Sequence, residues 1–222
     1  MTFYERTQKS KILIELLNNY FWEDAKKNFN LIHEPYGYEN FVAKNIQELL
    51  KNSDSSTAKY IRFSPDYIIG NQGKIILADY KATTTPRYST KSLQWNIGQI
   101  EADAWENYEK LTSIGVDIAL LIYCPYHPRP LLCDTPDNSW LWGARSKVKN
   151  TQTGSYTDYV NLDLTKLKTF VAFMEEAWNI PPDFSKPKVA LMLEEAKNLL
   201  PTTHDGKSNY KQCETGFNWE QI

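Results

Sequence analysis

Between residues 67 and 78, two β-rich apolar runs, Tyr67-Ile68-Ile69 and Lys74-Ile75-Ile76-Leu77-Ala78, flank the tetrapeptide Gly70-Asn71-Gln72-Gly73. Gly and Asn tolerate the positive φ values of a tight primed turn, so the segment predicts an antiparallel hairpin. With Gly70 facing Gly73, Asp66 falls opposite Leu77, and Asp79 lies one diagonal step away. Side chains alternate along a strand, so Asp66, Asp79 and Lys81 share one face. Diagonal neighbours sit roughly 7–8 Å apart, close enough for two carboxylates to converge on one divalent ion.

The other hairpin positions are apolar on both faces: Ile68, Ile75 and Leu77 on one, Tyr67, Ile69, Ile76 and Ala78 on the other. A strand buried on both sides is a poor place for unpaired charge, so three charges on one face require a metal, a partner or a substrate. Hard cations such as Mg²⁺ take oxygen ligands and keep several waters. Asp66, Asp79 and the Tyr80 carbonyl would supply the protein's share of that shell. Lys81 would then orient a water or neutralise charge on a phosphate as a fixed cation.

Pro65-Asp66 followed by Asp79-Tyr80-Lys81 resembles the signature of the PD-(D/E)xK nuclease superfamily, which includes restriction endonucleases, Holliday-junction resolvases and RecB-like exonuclease domains. The resemblance covers roughly residues 38 to 124. It implies an α/β restriction-endonuclease-like core, with a central mixed sheet flanked by helices and further helices towards the C-terminus. It also implies Mg²⁺ (with Mn²⁺ as a substitute) as cofactor, DNA as partner and phosphodiester hydrolysis as activity. A homodimer is compatible with this reading. Members often complete the metal site with a Glu from the helix before the sheet, and Glu39 is the first candidate, followed by Glu34 and Glu48. Glu39 lies three and seven residues before Val42 and Ile46, on the buried side of its helix; equally, a Glu in a first turn is favoured by the helix dipole alone. RecB-like and some phage exonucleases carry Gln in the helix after the signature and Tyr four residues on. This chain has Gln99 but Asp103, which leaves Gln99 as a candidate site residue and turns the expectation towards an endonuclease. The alternatives are a RecB-like or phage-type exonuclease, or a nucleic-acid-binding module that keeps the fold without turnover.

At 222 residues with a formal net charge of −2, the chain is long enough for one well-buried domain but not broadly basic. Affinity for nucleic acid comes largely from phosphate neutralisation, so cations must be concentrated near the site. Two clusters qualify: Arg87 and Lys91 leading out of the signature strand, and Arg145, Lys147 and Lys149 after Trp140 and Trp142. Trp95, Trp140 and Trp142 are the aromatics nearest these loops, where bases could stack. Three cysteines (Cys124, Cys133 and Cys213) give no disulfide framework and too few thiolates for a four-cysteine cluster. With no signal pattern and no long apolar run, a cytoplasmic protein without membrane association is expected.

Apolar periodicity predicts helices over 5–18, 38–51, 93–114, 164–178 and 188–200. Strands are expected over 59–63, 117–124, 131–133 and 159–162. The long helix over 93–114 would bury Ile97, Ile100, Ala104, Tyr108 and Leu111 and turn Glu101, Glu106 and Glu109 to solvent. Residues 1–200 read as a single domain and 201–222 as a polar tail.

Overall fold

The computed structural model describes residues 3–38, 43–84, 97–149 and 154–200. Its centre is a five-stranded mixed sheet in the order β1-β2-β3-β5-β6. Strands β1 (Ile32–Pro35), β2 (Tyr67–Gly70) and β3 (Ile75–Ala82) form an antiparallel meander. The chain then crosses over through β4 (Ile97–Glu101) and α5 (Ala102–Ser113) to β5 (Ile118–Tyr123), which runs parallel to β3. Strand β6 (Leu131–Asp134) closes the sheet antiparallel to β5. This is the expected α/β architecture with a mixed central sheet and flanking helices.

The hairpin forms, but its register lies two residues from the expected one. Gly70 is opposite Ile75 and Ile68 opposite Leu77. The Asn71 side chain causes the shift: its Oδ1 accepts from Gly73 N at 2.9 Å and Lys74 N at 3.3 Å, while Asn71 N donates to Lys74 O at 3.0 Å. That Asx-type cap leaves Gln72 and Gly73 as the loop. Gly70 is needed for the tight return, since a Cβ there would lie 2.4 Å from Lys74 O. A slip of one residue would have reversed every side chain; a slip of two keeps the face.

Other boundaries move because distant partners override local pattern. Residues 59–63, expected as a strand, belong instead to α4 (Ser56–Arg62), started by Ser55 Oγ accepting from Ala58 N at 3.2 Å. The helix expected over 38–51 is described as α3 (Lys44–Lys51), and β1 before it was not anticipated. The largest correction is at 93–114. Residues Ile97–Glu101 are β4, because they pair with β8 (Tyr156–Asp163), some sixty positions away, to build a second sheet β4-β8-β7 with β7 (Ser146–Lys149). Gly98 sits against Leu164, where a Cβ would lie 2.8 Å from the movable Cδ2 end of that side chain.

The central sheet separates two apolar layers. On one side Ile69, Ile76, Ala78, Tyr80 and Leu121 pack against α1 (Phe3–Leu17), a π-helical turn at Asn18–Trp22, α6 (Phe170–Trp178) and α7 (Pro182–Leu199). On the other, Leu77, Ile118, Leu120 and Leu132 meet α5 and the small sheet through Ile100, Trp105, Tyr108 and Leu162. A short helix α2 (Glu23–Phe29) links the π-turn to β1. Helix α6 starts later than expected because Thr169 caps it, its Oγ1 accepting from Ala172 N at 3.3 Å; α7 starts earlier, with Pro182 in its first turn. Among the described residues no helix is long and apolar enough to cross a membrane.

Candidate active site on the β2–β3 hairpin

The pairing ends at Tyr67↔Ala78, and Asp66 sits at a bend just before β2, where its carboxyl comes within hydrogen-bonding reach of that of Asp79 rather than lying opposite Leu77. Asp66 N donates to Ala78 O at 2.9 Å while Asp66 O accepts from Tyr36 N at 2.6 Å, so two successive residues, Asp66 and Tyr67, face Ala78 as in a bulge. The two carboxyl groups hydrogen-bond to one another, closer than a diagonal pair of strand residues would stand. Asp66 Oδ2 accepts from Tyr80 N at 3.4 Å. In an antiparallel ladder a residue's N–H and C=O point to the same partner strand, so the Tyr80 carbonyl leaves β3 on the Asp66 side.

Asp79 is only 2% exposed. Lys81 Nζ lies 2.6 Å from Asp79 Oδ2, an ion pair, and Asp66 and Tyr108 hydrogen-bond to the same carboxyl group. Burial, then the neighbouring charge of Asp79, push the Asp66 carboxyl up to about 7, against the opposing pull of Lys81 and the Tyr80 N–H. Burial by itself would lower the Lys81 ammonium. The attraction of Asp79, Asp66 and Glu101 outweighs it and holds the group above its ordinary value.

These features fit a hard divalent cation. Two adjacent carboxylates, one driven towards its neutral form by the other, would each be stabilised as an anion by a shared positive charge. Asp66, Asp79 and the Tyr80 carbonyl are the groups that could hold it. Among the described residues, no cluster of three or more His, Cys, Asp or Glu side chains is arranged to bind a metal, so backbone oxygen and water would complete the shell. Comparison of the chain with protein-family models, curated proteins and solved structures finds no match.

The reverse face of the hairpin is rigid. His33 stacks between Trp22 (ring centroids 4.6 Å apart, 4° between planes) and Tyr67 (4.6 Å, 10°), and Tyr67 stacks on Tyr80 at 4.5 Å. Tyr80 Oη and His33 Nε2 share a 2.8 Å hydrogen bond. Burial lowers His33 to about 3, so the imidazole stays neutral. Tyr67 follows Asp66 and Tyr80 follows Asp79, so the stack stiffens both backbones that carry the carboxylates.

Glu39, Arg87, Lys91 and Trp95 lie outside the described residues. Glu34 sits on β1 opposite Ile68 and pairs with Lys26 at 3.5 Å, while Glu48 is exposed on α3. Gln99 is on a strand, not in a helix, and its Nε2 donates to Asn161 Oδ1 at 2.8 Å. Of the second basic cluster, Arg145 pairs with Glu106 at 3.0 Å, Lys147 with Asp158 at 4.0 Å, and Lys149 lies over the Tyr156 ring. Trp140 is buried in the core with Trp105 rather than open to a base.

Two residues join the site that sequence reasoning had placed elsewhere. Tyr108, expected only as a core residue, is buried against Asp79, and burial followed by that charge pushes its phenol well up. Glu101, expected to face solvent, is half-buried, feels the Lys81 charge and has its carboxyl raised mainly by burial. Only the β4 turn into α5 brings it there. No local pattern distinguishes Glu101 from the other helix-region glutamates.

Proposed function

We propose that this chain is a divalent-cation-dependent nuclease of the PD-(D/E)xK type that hydrolyses DNA phosphodiester bonds, acting as an endonuclease. The observation that carries the reading is the meeting of the Asp66 and Asp79 carboxyl groups at the start of β2 and on β3, with Lys81 paired to buried Asp79 at 2.6 Å. The order of meander β1–β2–β3, helix α5 and parallel strand β5 supports a restriction-endonuclease-like core around it. Buried free thiols at Cys124 and Cys133 suit a reducing, cytoplasmic setting.

Asp66, Asp79 and the Tyr80 carbonyl would hold Mg²⁺, or Mn²⁺ in its place. Once bound, the cation supplies a more acidic water and neutralises charge on the phosphate. Lys81 presents a preorganised positive charge beside the carboxylates, where negative charge builds on a phosphoryl group. The ion pair with Asp79 and the half-buried setting hold it there. The aromatic stack behind the hairpin keeps the two backbones from drifting, which matters because small misplacements are costly in rate. Glu39, Gln99, Arg87, Lys91, Arg145, Lys147 and Lys149 remain the proposed auxiliary and DNA-contacting residues.

The test is incubation of the protein with linear, circular, single-stranded and branched DNA in Mg²⁺ or Mn²⁺, beside Asp79→Ala and Lys81→Ala. Discrete fragments from wild type alone support an endonuclease, mononucleotides an exonuclease, and junction cutting a resolvase. Binding without cleavage by wild type and variants alike would leave a nucleic-acid-binding module in place of an enzyme.

A further inference from the structure

We infer that the helical hairpin α3–α4 is an arm that holds the phosphate backbone of duplex DNA beside the carboxylates, with Lys44 and Lys51 as its phosphate contacts; this rests on the nuclease reading above. Helix α3 has eight residues and buries none of its side chains. A helix this short is marginal on its own in water, so it depends on its tethers. Tyr38 Oη donates to Gln47 O at 2.8 Å, and Arg62 Nη1 of α4 donates to Lys51 O at 3.1 Å. What α3 offers is outer surface, where Ile46 is 46% and Leu49 68% exposed.

The arm borders the site. Phe63, at the end of α4, packs with Leu77 against the layer formed by α5, and Asp79 and Lys81 alternate in step with Leu77 on that same sheet face. Two further contacts fasten α4 to α5: Lys59 pairs with Asp103 at 3.6 Å, and Asn107 Nδ2 donates to Phe63 O at 2.9 Å. Only Ser64 and Pro65 separate Phe63 from Asp66.

Charge selects the occupant. Residues 43–64 carry four cations, Lys44, Lys51, Lys59 and Arg62, against two anions, Glu48 and Asp54, in a chain of formal net charge −2. Lys44 and Lys51 are exposed, and neither is paired with a carboxylate among the described residues. Arg145 and Lys147, by contrast, are each paired with one, at 3.0 and 4.0 Å. Seven positions apart, Lys44 and Lys51 share a helix face and stand about 10 Å apart along it, far enough to meet separate phosphates. A second copy of the chain could cover Ile46 and Leu49, but two-fold pairing would set this basic patch against itself.

The test measures binding of the full chain to a labelled duplex of about 30 base pairs by fluorescence anisotropy, without divalent cation, over about 50–200 mM salt. Each phosphate contact contributes about 0.9 to the slope of log affinity against log salt, so the Lys44→Gln, Lys51→Gln double variant should lower that slope by about 1.8. The weakening should be equal on two unrelated sequences. Replacing both lysines by Arg should keep the slope. So should Lys186→Gln, which removes an exposed charge from α7 on the opposite layer. An unchanged slope in the double Gln variant, an equal drop in Lys186→Gln, or a wild type that binds no duplex would overturn the proposal. A wild-type dimer in sedimentation that Leu49→Ser dissolves, with the slope of the double Gln variant unmoved, would assign α3 to a second copy and overturn it too. If wild type shows these slopes yet cleaves no DNA in Mg²⁺ or Mn²⁺, the nuclease reading falls and the DNA-holding arm stands.

Discussion

Replacing Asp66 with Asn should stabilise the metal-free protein above neutral pH while removing metal binding. In the folded chain the Asp66 carboxyl is pushed up to about 7 from an ordinary 3.8, first by burial and then by Asp79. The folded state therefore keeps a proton that the unfolded chain releases near pH 4, and wild-type stability falls as pH rises from about 4 to about 7. A rise of about three pK units corresponds to about 4 kcal/mol at full ionisation. Asp66 retains partial exposure, and solvent screening brings the expected value towards about 2 kcal/mol. Asp66→Asn carries no such charge, so the two proteins should match near pH 4 and diverge above it. For a chain of this size, 2–4 kcal/mol corresponds to roughly 4–16 °C in Tm. Thermal unfolding by circular dichroism across pH 4 to 9, with and without Mg²⁺, checks both parts. A ligand at about 100 times its Kd adds about 2.7 kcal/mol, and that gain should appear in wild type at pH 8 and be absent in Asp66→Asn. Parallel pH curves for the two proteins, or equal stabilisation of both by Mg²⁺, would refute the reasoning.

Lys81→Ala removes the ion-pair partner of buried Asp79 and should destabilise the metal-free protein; broken buried pairs cost about 3–5 kcal/mol, and the partial exposure of Lys81 places this one at about 2–3 kcal/mol. Mg²⁺ should restore much of that loss in urea unfolding, because it supplies another positive neighbour for Asp79. Gly37 has φ +91°, and a Cβ there would lie 2.4 Å from Pro65 O and 3.5 Å from Asp66 Cα, so Gly37→Ala should displace the Pro65-Asp66 backbone and weaken Mn²⁺ binding measured calorimetrically. Gly115 (φ +86°) has open space around it, so Gly115→Ala should cost only backbone strain, about 1–3 kcal/mol, and leave Mn²⁺ affinity intact. Gln99→Ala loses the hydrogen bond to Asn161 and should lower stability by about 1 kcal/mol, read from denaturant midpoints, without changing Mn²⁺ affinity.

What the sequence determined by itself is the hairpin and the face it presents. Two apolar runs joined by Gly70-Asn71-Gln72-Gly73 are local information, because alternation and turn chemistry act over neighbouring residues. The grouping of Asp66, Asp79 and Lys81 on one face survived the register shift because an even slip preserves parity. The amphipathic stretches of α1, α6 and α7, and the apolar strand β5, were legible for the same reason, with helix starts moved by the Thr169 cap and by Pro182 at the first position of α7. The tertiary structure decided what depends on partners far along the chain. Residues 97–101 carry apolar spacing that suits a helix, and they become a strand because β8 offers a ladder. That exchange moved Gln99 into a sheet contact with Asn161 and turned Glu101 from an expected surface residue into a neighbour of Lys81. The surroundings of Asp66 have the same origin: a carboxyl in an open turn keeps its ordinary acidity. Its burial and the nearby charge of Asp79 are long-range packing results, and together they raise this one towards neutrality.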